Sequence, residues 1–427
     1  MKRILVLLLS ILLLFGAVGC GQGDDNGGIK DKNIWPYTVE DVAKQDLMWD
    51  TAELFKSVPE TKSVDYTVGA NIEVFKFKSV GYASKINTWV FAAMGAPNPV
   101  DFPMPEGGYP AVVLVHGGGG QVYIDWVRYW NRLGFVAIAF DTYGNQLDSE
   151  LRKVVNPEGG PSETYTGSIL DSVDAEKDSW VYHVVTNVIL CNNILRNRAD
   201  VNKDKVVATG ISWGSVALCI TSGVDKRFSA FAPVYGGAYV YDDSFFVKNY
   251  TQETAYGGVN KDSWIAKYDA SSYLPYSTKP MFFVSGIDDN AFNVENRVKF
   301  HALPKGKVFF SQRSDLGHGH VWRQTEEIYH FFKHVLYKEN FSIINGLIKD
   351  GNVVTLDYDN KLFDKVSVIY TDDVAEDSHE WVFQTEKVEE KDGKFSFTLP
   401  ENVTAYAFEV EHLDGDYKLS TPIYLIK

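Results

Sequence analysis

Apolar and polar residues follow two different grammars along this chain. Between residues 64 and 96, short runs at 72–77 and 88–91 predict an antiparallel opening section. Unbroken apolar runs come next, at 111–115 and 135–140, the pattern of parallel strands buried on both faces. Between these runs Trp126, Trp130 and Leu133 recur at helical spacing, and Gly134 supplies the stop. Residues 142–178 are polar and irregular, which predicts an insertion over the sheet edge. Helical patterns at 181–196 and 216–221, strand patterns at 205–209, 231–234 and 281–284, and an amphipathic helix at 326–336 complete this part. Repeated βα units predict a doubly wound, mostly parallel α/β sheet. Beyond about residue 341 the period changes to two, at 366–370, 395–399 and 406–410. That pattern, broken by turn-rich pieces, predicts a small C-terminal all-β sandwich. The expected domains are therefore 34–340 and 341–427.

The N-terminus changes the picture. Lys2 and Arg3 precede an almost unbroken apolar run over residues 4–18, which ends in Ala17-Val18-Gly19-Cys20. This is the layout of a secretory signal, with small residues at the cleavage site. A Cys directly after the small residue resembles the bacterial lipobox, in which that Cys is lipidated and becomes the mature N-terminus. The competing readings are a plain signal peptide and a transmembrane anchor, but the run is short for a span of about 20 residues. The expectation is a lipoprotein signal peptide over 1–20, lipidation at Cys20 and a flexible linker over 21–33. The protein would then sit outside the cytoplasm, held to the membrane of the cell envelope by its N-terminal lipid. Such a setting permits a Cys191–Cys219 disulfide. Both cysteines lie in apolar helical patterns, however, and are expected to be unpaired core residues.

Composition narrows the partners. The 427 residues carry a net charge of −15, with no Lys/Arg-rich run after the leader, which argues against nucleic acid. The hydrophobic share of 45% is ordinary for a globular protein with a sizeable core.

The chemistry centres on Gly210-Ile211-Ser212-Trp213-Gly214, which follows one predicted strand and precedes a predicted helix. A serine on a sharp strand-to-helix turn projects its Oγ clear of the sheet, and flanking glycines let the backbone turn tightly. The bare motif occurs by chance in about one chain in seven of this length at average composition, so the strand–turn–helix setting gives it weight. Directly after the strand at 111–115 comes His116-Gly117-Gly118-Gly119-Gly120, bare backbone whose N–H groups can donate to a developing oxyanion. The second donor in such a hole is the N–H of the residue after the serine, here Trp213. His116 itself reads as a loop-ordering residue. An acid and then a base should follow in the chain. Asp288 and Asp289 lie just past the strand at 281–284, and His318 and His320 precede the closing helix. Loop placement favours Asp289 and His318. A metal site from His116, His318, His320 and Asp289 is the competing chemistry, but it leaves the serine turn unexplained. No metal or cofactor is expected.

Several segments together resemble a bacterial branch of the α/β-hydrolase superfamily, grouped with acetyl xylan esterase-like and prolyl-oligopeptidase-like enzymes and related to dienelactone hydrolases. They are His116 to Gly120, the Trp126/Trp130/Gly134 pattern, Phe140-Asp141-Thr142, Gly159-Gly160-Pro161, Tyr182-His183, the serine motif, Ser272-Tyr273-Leu274-Pro275 and His318-Gly319-His320. Thr404 to Phe408 extends the likeness into the C-terminal region. The resemblance implies a triad of Ser212, Asp289 and His318, and carries the oxyanion hole onto Gly118 and Trp213. One departure is Ser215, where the family pattern has a second glycine. The expected activity is a serine esterase acting on a small-molecule or glycan ester. The alternatives are a prolyl-oligopeptidase-type peptidase, which lacks a long propeller-like N-terminal region here, and a non-catalytic glycan-binding protein, which would need a broken triad. Trp213, Tyr235 and Tyr143 are candidate pocket walls.

Overall fold

The computed structural model describes residues 48–69, 71–161, 176–243, 261–413 and 417–426. The expected leader, Cys20 and the linker lie outside the described residues. Among the described residues, no helix is long and apolar enough to cross a membrane.

The two opening runs form β2 (Ile72–Ser79) and β3 (Thr88–Gly95), and a short strand outside the sequence reading, β1 (Thr61–Ser63), precedes them; each is antiparallel to its neighbour. Six strands follow in parallel: β4 (Tyr109–Val115), β5 (Val136–Phe140), β6 (Val201–Ile211), β7 (Ala230–Val234), β8 (Met281–Gly286) and β9 (Val308–Arg313). Every residue of β4, β5, β7 and β8 is buried, as unbroken apolar runs require when both faces are covered. The order across the sheet is β1-β2-β3-β5-β4-β6-β7-β8-β9. The chain thus winds outward from β4 to β5 and returns to the other side of β4 at β6. The C-terminal ends of β4 and β6 flank this switch point, where open α/β sheets place their ligand crevice.

The covering helices are α1 (Ile124–Arg132), α2 (Trp180–Arg196), α3 (Trp213–Val224), α4 (Val294–His301) and α5 (Glu327–Tyr337). Gly134, at φ +84°, ends α1 in a conformation that costs a glycine nothing sterically. α2 and α3 pack on each other, and nearly all of α2 is buried, including its Asn and Thr residues. Two groups of α2 bind the segment before β1: the Asn193 side chain donates to the carbonyl of Leu54 at 2.7 Å, and the Tyr182 main-chain carbonyl accepts from Trp49 Nε1 at 3.2 Å. The segment before β1 therefore lies along this helix. Cys191 and Cys219 are buried free thiols, and burial pushes both pKa values up.

The structure departs from the sequence reading in places. β6 begins at Val201, four residues early, and α3 begins directly after Ser212. Strand β9 and helix α4 had no counterpart among the expected elements. The predicted insertion contains a small hairpin, Asn145–Leu147 with Lys153–Val155, and residues 162–175 of it lie outside the described residues.

The C-terminal region is strand-rich: β10 (Ile344–Asp350), β11 (Val353–Tyr358), β12 (Phe363–Thr371), β13 (Gln384–Val388), β14 (Lys394–Thr398), β15 (Ala405–His412) and β16 (Lys418–Ser420). β10, β11 and β14 belong to a four-stranded sheet. Among the described residues, the others do not form a second free-standing sheet. β16 pairs antiparallel with β9, with Ser420 opposite Phe310, so the main sheet continues through β16, β15, β12 and β13.

Candidate active site

β6 delivers Ser212 at the switch point. Its backbone is at φ 56°, ψ −119°, a conformation that costs a non-glycine residue about 1–3 kcal/mol. The neighbours hold it there. The Ser212 amide donates to the Val234 carbonyl at 2.9 Å, and its own carbonyl accepts from Ser215 N at 2.8 Å. Gly214 sits where a Cβ would overlap the Val115 carbonyl oxygen, so only glycine lets α3 start this close to β4. Ser215, the departure from the family pattern, is fully buried. Its hydroxyl lies 2.6 Å from both the Gly210 and the Val234 carbonyls, pinning the two sides of the turn.

The loop after β8 carries the candidate acid. Asp288 is exposed, whereas Asp289 is 3% exposed. Asp289 Oδ1 accepts the amides of Ala291 and Phe292 at 2.8 and 2.9 Å, and Oδ2 lies 2.9 Å from His318 Nδ1. Burial alone would raise its pKa. The hydrogen bond from His318, and then the charge of Arg297, outweigh burial and hold it below the ordinary carboxylate value. Arg297, from α4, is itself buried and binds the carbonyls of Gly286 and Ile287 on the acid loop. Burial pushes its pKa down to about 10, which leaves it charged at neutral pH.

His318 completes the line, with Nε2 3.1 Å from Ser212 Oγ. Its Nδ1 is the donor to Asp289, so Nε2 carries the lone pair that faces the serine hydroxyl. The Tyr235 ring lies 4.5 Å from the imidazole centroid, and its hydroxyl donates to the Gly317 carbonyl, fixing the loop beneath His318. Phe292 stacks at 6.3 Å. Of the paired options, the structure brings Asp289 and His318 to Ser212, and not Asp288 or His320.

His320 instead ties down the glycine loop, where its Nε2 accepts the Gly117 amide at 3.2 Å. His116 is 2% exposed and orders its loop as the sequence suggested. Its Nε2 accepts the Thr142 amide at 3.1 Å and its Nδ1 lies 2.9 Å from the Gly117 carbonyl. Gly118 faces the Trp213 ring, where a Cβ would stand 3.0 Å from Trp213 Cδ1. The Gly118 loop and the first residue of α3 therefore meet beside Ser212. The N-terminus of α3 adds a partial positive charge at this place. Trp213 packs edge-on against Trp180, which stacks on Tyr143 at 5.3 Å. These rings, with Tyr235, are buried supports of the turn. Asp243 and His379, which reach the acid loop from far along the chain, carry no local sequence signal. Among the described residues, no group of three or more His, Cys, Asp or Glu side chains is arranged to hold a metal ion.

A serine, a histidine and a buried aspartate, on loops that follow parallel strands, match the plan of an α/β-hydrolase. The sequence profile of the acetyl xylan esterase (AXE1) family matches residues 40–260, more than half of the chain. The chain belongs to the acetyl xylan esterase family. It is thus a carboxylesterase, a serine hydrolase acting on esters. No curated protein matches it in sequence. Among solved structures, the acetyl xylan esterase from Paenibacillus sp. R4 aligns with a TM-score of 0.54 at 16% identity, covering 71% of this chain and 98% of that one. Acetyl xylan esterase 1 from Thermoanaerobacterium sp. JW/SL YS485 aligns with a TM-score of 0.51, also at 16% identity, covering 69% and 96%. Both likenesses concern the fold, and that fold agrees with the sequence reading of an α/β-hydrolase sheet with a strand-rich C-terminal region.

Proposed function

We propose that the protein removes short acyl groups, acetyl above all, from carbohydrate esters outside the cytoplasm, with Ser212, His318 and Asp289 as its catalytic triad. The observation that carries the triad is the continuous line from Ser212 Oγ through His318 to Asp289, with contacts of 3.1 and 2.9 Å. His318 Nε2 takes the serine proton as Oγ attacks the ester carbonyl. It then returns that proton to the departing sugar hydroxyl, leaving an acyl-enzyme. Asp289 holds the imidazole in the required tautomer and stabilises its positive charge. The amides of Gly118 and Trp213 receive the oxyanion, and a hole of this kind is worth about 3–4 kcal/mol per donor in other hydrolases. A water activated by the same histidine releases the acid.

The carbohydrate assignment rests on family membership, and the extracytoplasmic assignment on the apolar leader ending at Cys20. The decisive experiment compares purified protein with Ser212→Ala on 4-nitrophenyl acetate, acetylated xylan and peptide amides. Acetate release from both esters by the wild type, lost in the variant, is the expected result. Turnover that survives Ser212→Ala overturns the mechanism. Cleavage of peptide amides in preference to esters overturns the substrate class. Labelling with a palmitate analogue, present in the wild type and absent in Cys20→Ala, tests the anchor.

A further inference from the structure

Two of the three proposed triad residues stand on loops that the C-terminal β region grips from behind. On the acid loop, His379 is the contact. It sits in the short turn Ser378–Glu380 between β12 and β13, and its Nε2 lies 2.8 Å from Asp243 Oδ1. The other Asp243 oxygen accepts the Asn293 amide at 2.9 Å. Asn293 directly follows Phe292, whose amide binds Asp289, and its side chain caps α4 by accepting the Asn296 amide at 2.8 Å. Both partners of the His379–Asp243 pair are largely shielded, with side chains 12% and 1% exposed. Burial alone would keep the imidazole neutral, but Asp243, Asp377 and the main chain of Asp289 outweigh it and favour the charged ring.

The loop that carries His318 is held the same way. Glu409 of β15 accepts the Ser314 amide at 3.0 Å. Lys418 of β16 bridges Asp315 and Glu409 at 3.0 and 3.1 Å, and Ser420 Oγ accepts the Gln312 amide at 2.8 Å. A loop free of such ties would sample positions away from the reactive geometry, and a shift of about 1 Å costs on the order of 100-fold in rate.

We infer that the C-terminal β region is a positioning element of the esterase site: it sets the acid loop through His379 and the histidine loop through Glu409 and Lys418. This rests on the proposed triad. His379 is a positioning residue; it acts on Asp289 through Asp243 and Asn293.

The test uses the full chain and 4-nitrophenyl acetate, well below the unfolding midpoint, with folding checked by circular dichroism. His379→Ala lowers kcat at least tenfold while KM stays within twofold, and His379→Gln, which can still donate to Asp243, recovers most of the loss. Lys418→Met lowers kcat several-fold and provides a second route should His379→Ala not fold. Lys365→Ala, at the solvent-facing Lys365–Glu411 pair between β12 and β15, leaves kcat unchanged. A purely structural role predicts a lower midpoint with unaltered kcat. Folded His379→Ala or Lys418→Met protein within twofold of wild-type kcat overturns the inference. Wild-type turnover that Ser212→Ala does not abolish overturns the triad instead, so the two failures are distinct.

Discussion

The main-chain amide of Gly117 donates to Nε2 of His320 at 3.2 Å, tying the glycine loop after β4 to the loop that carries His318. This bond needs a neutral imidazole, because a protonated Nε2 would present a hydrogen to a hydrogen. Burial, and then the nearby His116, His318 and Lys153, push the His320 pKa down to about 4. Burial lowers His183 to about 4 as well. Between about pH 6.5 and 4 the unfolded chain therefore binds more protons than the folded one at both sites, and stability falls as pH falls through that window. The thermal midpoint should drop on going from pH 7 to 4.5, and drop less in His320→Gln. Parallel curves for the two proteins would show that His320 does not titrate in this way.

Asp289 and Asp288 are adjacent in sequence and opposite in placement. Asp289→Asn keeps the shape but permits the wrong His318 tautomer, and kcat should fall on the order of 10,000-fold. Asp288→Asn should stay within a few-fold of the wild type. Steady-state kinetics of the two variants on 4-nitrophenyl acetate decide it, and the reverse pattern would sink the assignment.

The turn itself offers a stability test. Ser215→Ala removes one buried hydroxyl from between two carbonyls, and should cost about 1–2 kcal/mol in urea unfolding. Gly214→Ala forces a methyl into the Val115 carbonyl and should be worse, costing several kcal/mol or preventing folding. Equal effects would mean that the close approach of α3 to β4 is not what fixes Ser212.

Asp315 reports on the junction between sheet and C-terminal region. Burial would raise its pKa, but Arg313 and Lys418 lower it to about 2. Its contribution is present above the unfolded value near 4 and is lost as pH falls towards 2. The side chain is about half exposed, so solvent screening keeps the effect below about 1 kcal/mol. Acid unfolding curves of Asp315→Asn should be correspondingly flatter between pH 4 and 2.

The serine turn, the glycine loop and the candidate acid loop were legible because each follows an apolar run, and the His318 loop because it precedes an amphipathic helix. Strand β9 was not. Only Val308, Phe309 and Phe310 of it are apolar, and its polar half is buried by groups from far along the chain. Ser311 donates to the Lys418 carbonyl at 2.8 Å, and Gln312 N to Ser420 at 2.8 Å. The same non-locality hid the continuity of the main sheet into the C-terminal strands, since pairing between β9 and β16 leaves no periodic trace. Helix α4 carries a buried arginine, Arg297, where a helical reading expects an apolar residue. His379 and Asp243 lie far apart in sequence, and only the folded chain makes them partners.

That shared sheet bears on how the protein comes off the ribosome. Until residues 418–420 have been synthesised, β9 lacks its β16 neighbour and offers open N–H and C=O groups to any passing strand. Such an unpaired edge invites pairing with another nascent copy, so folding intermediates should be sticky in a way the finished molecule is not. Premature termination between β9 and β16 would then yield aggregates instead of a smaller working hydrolase.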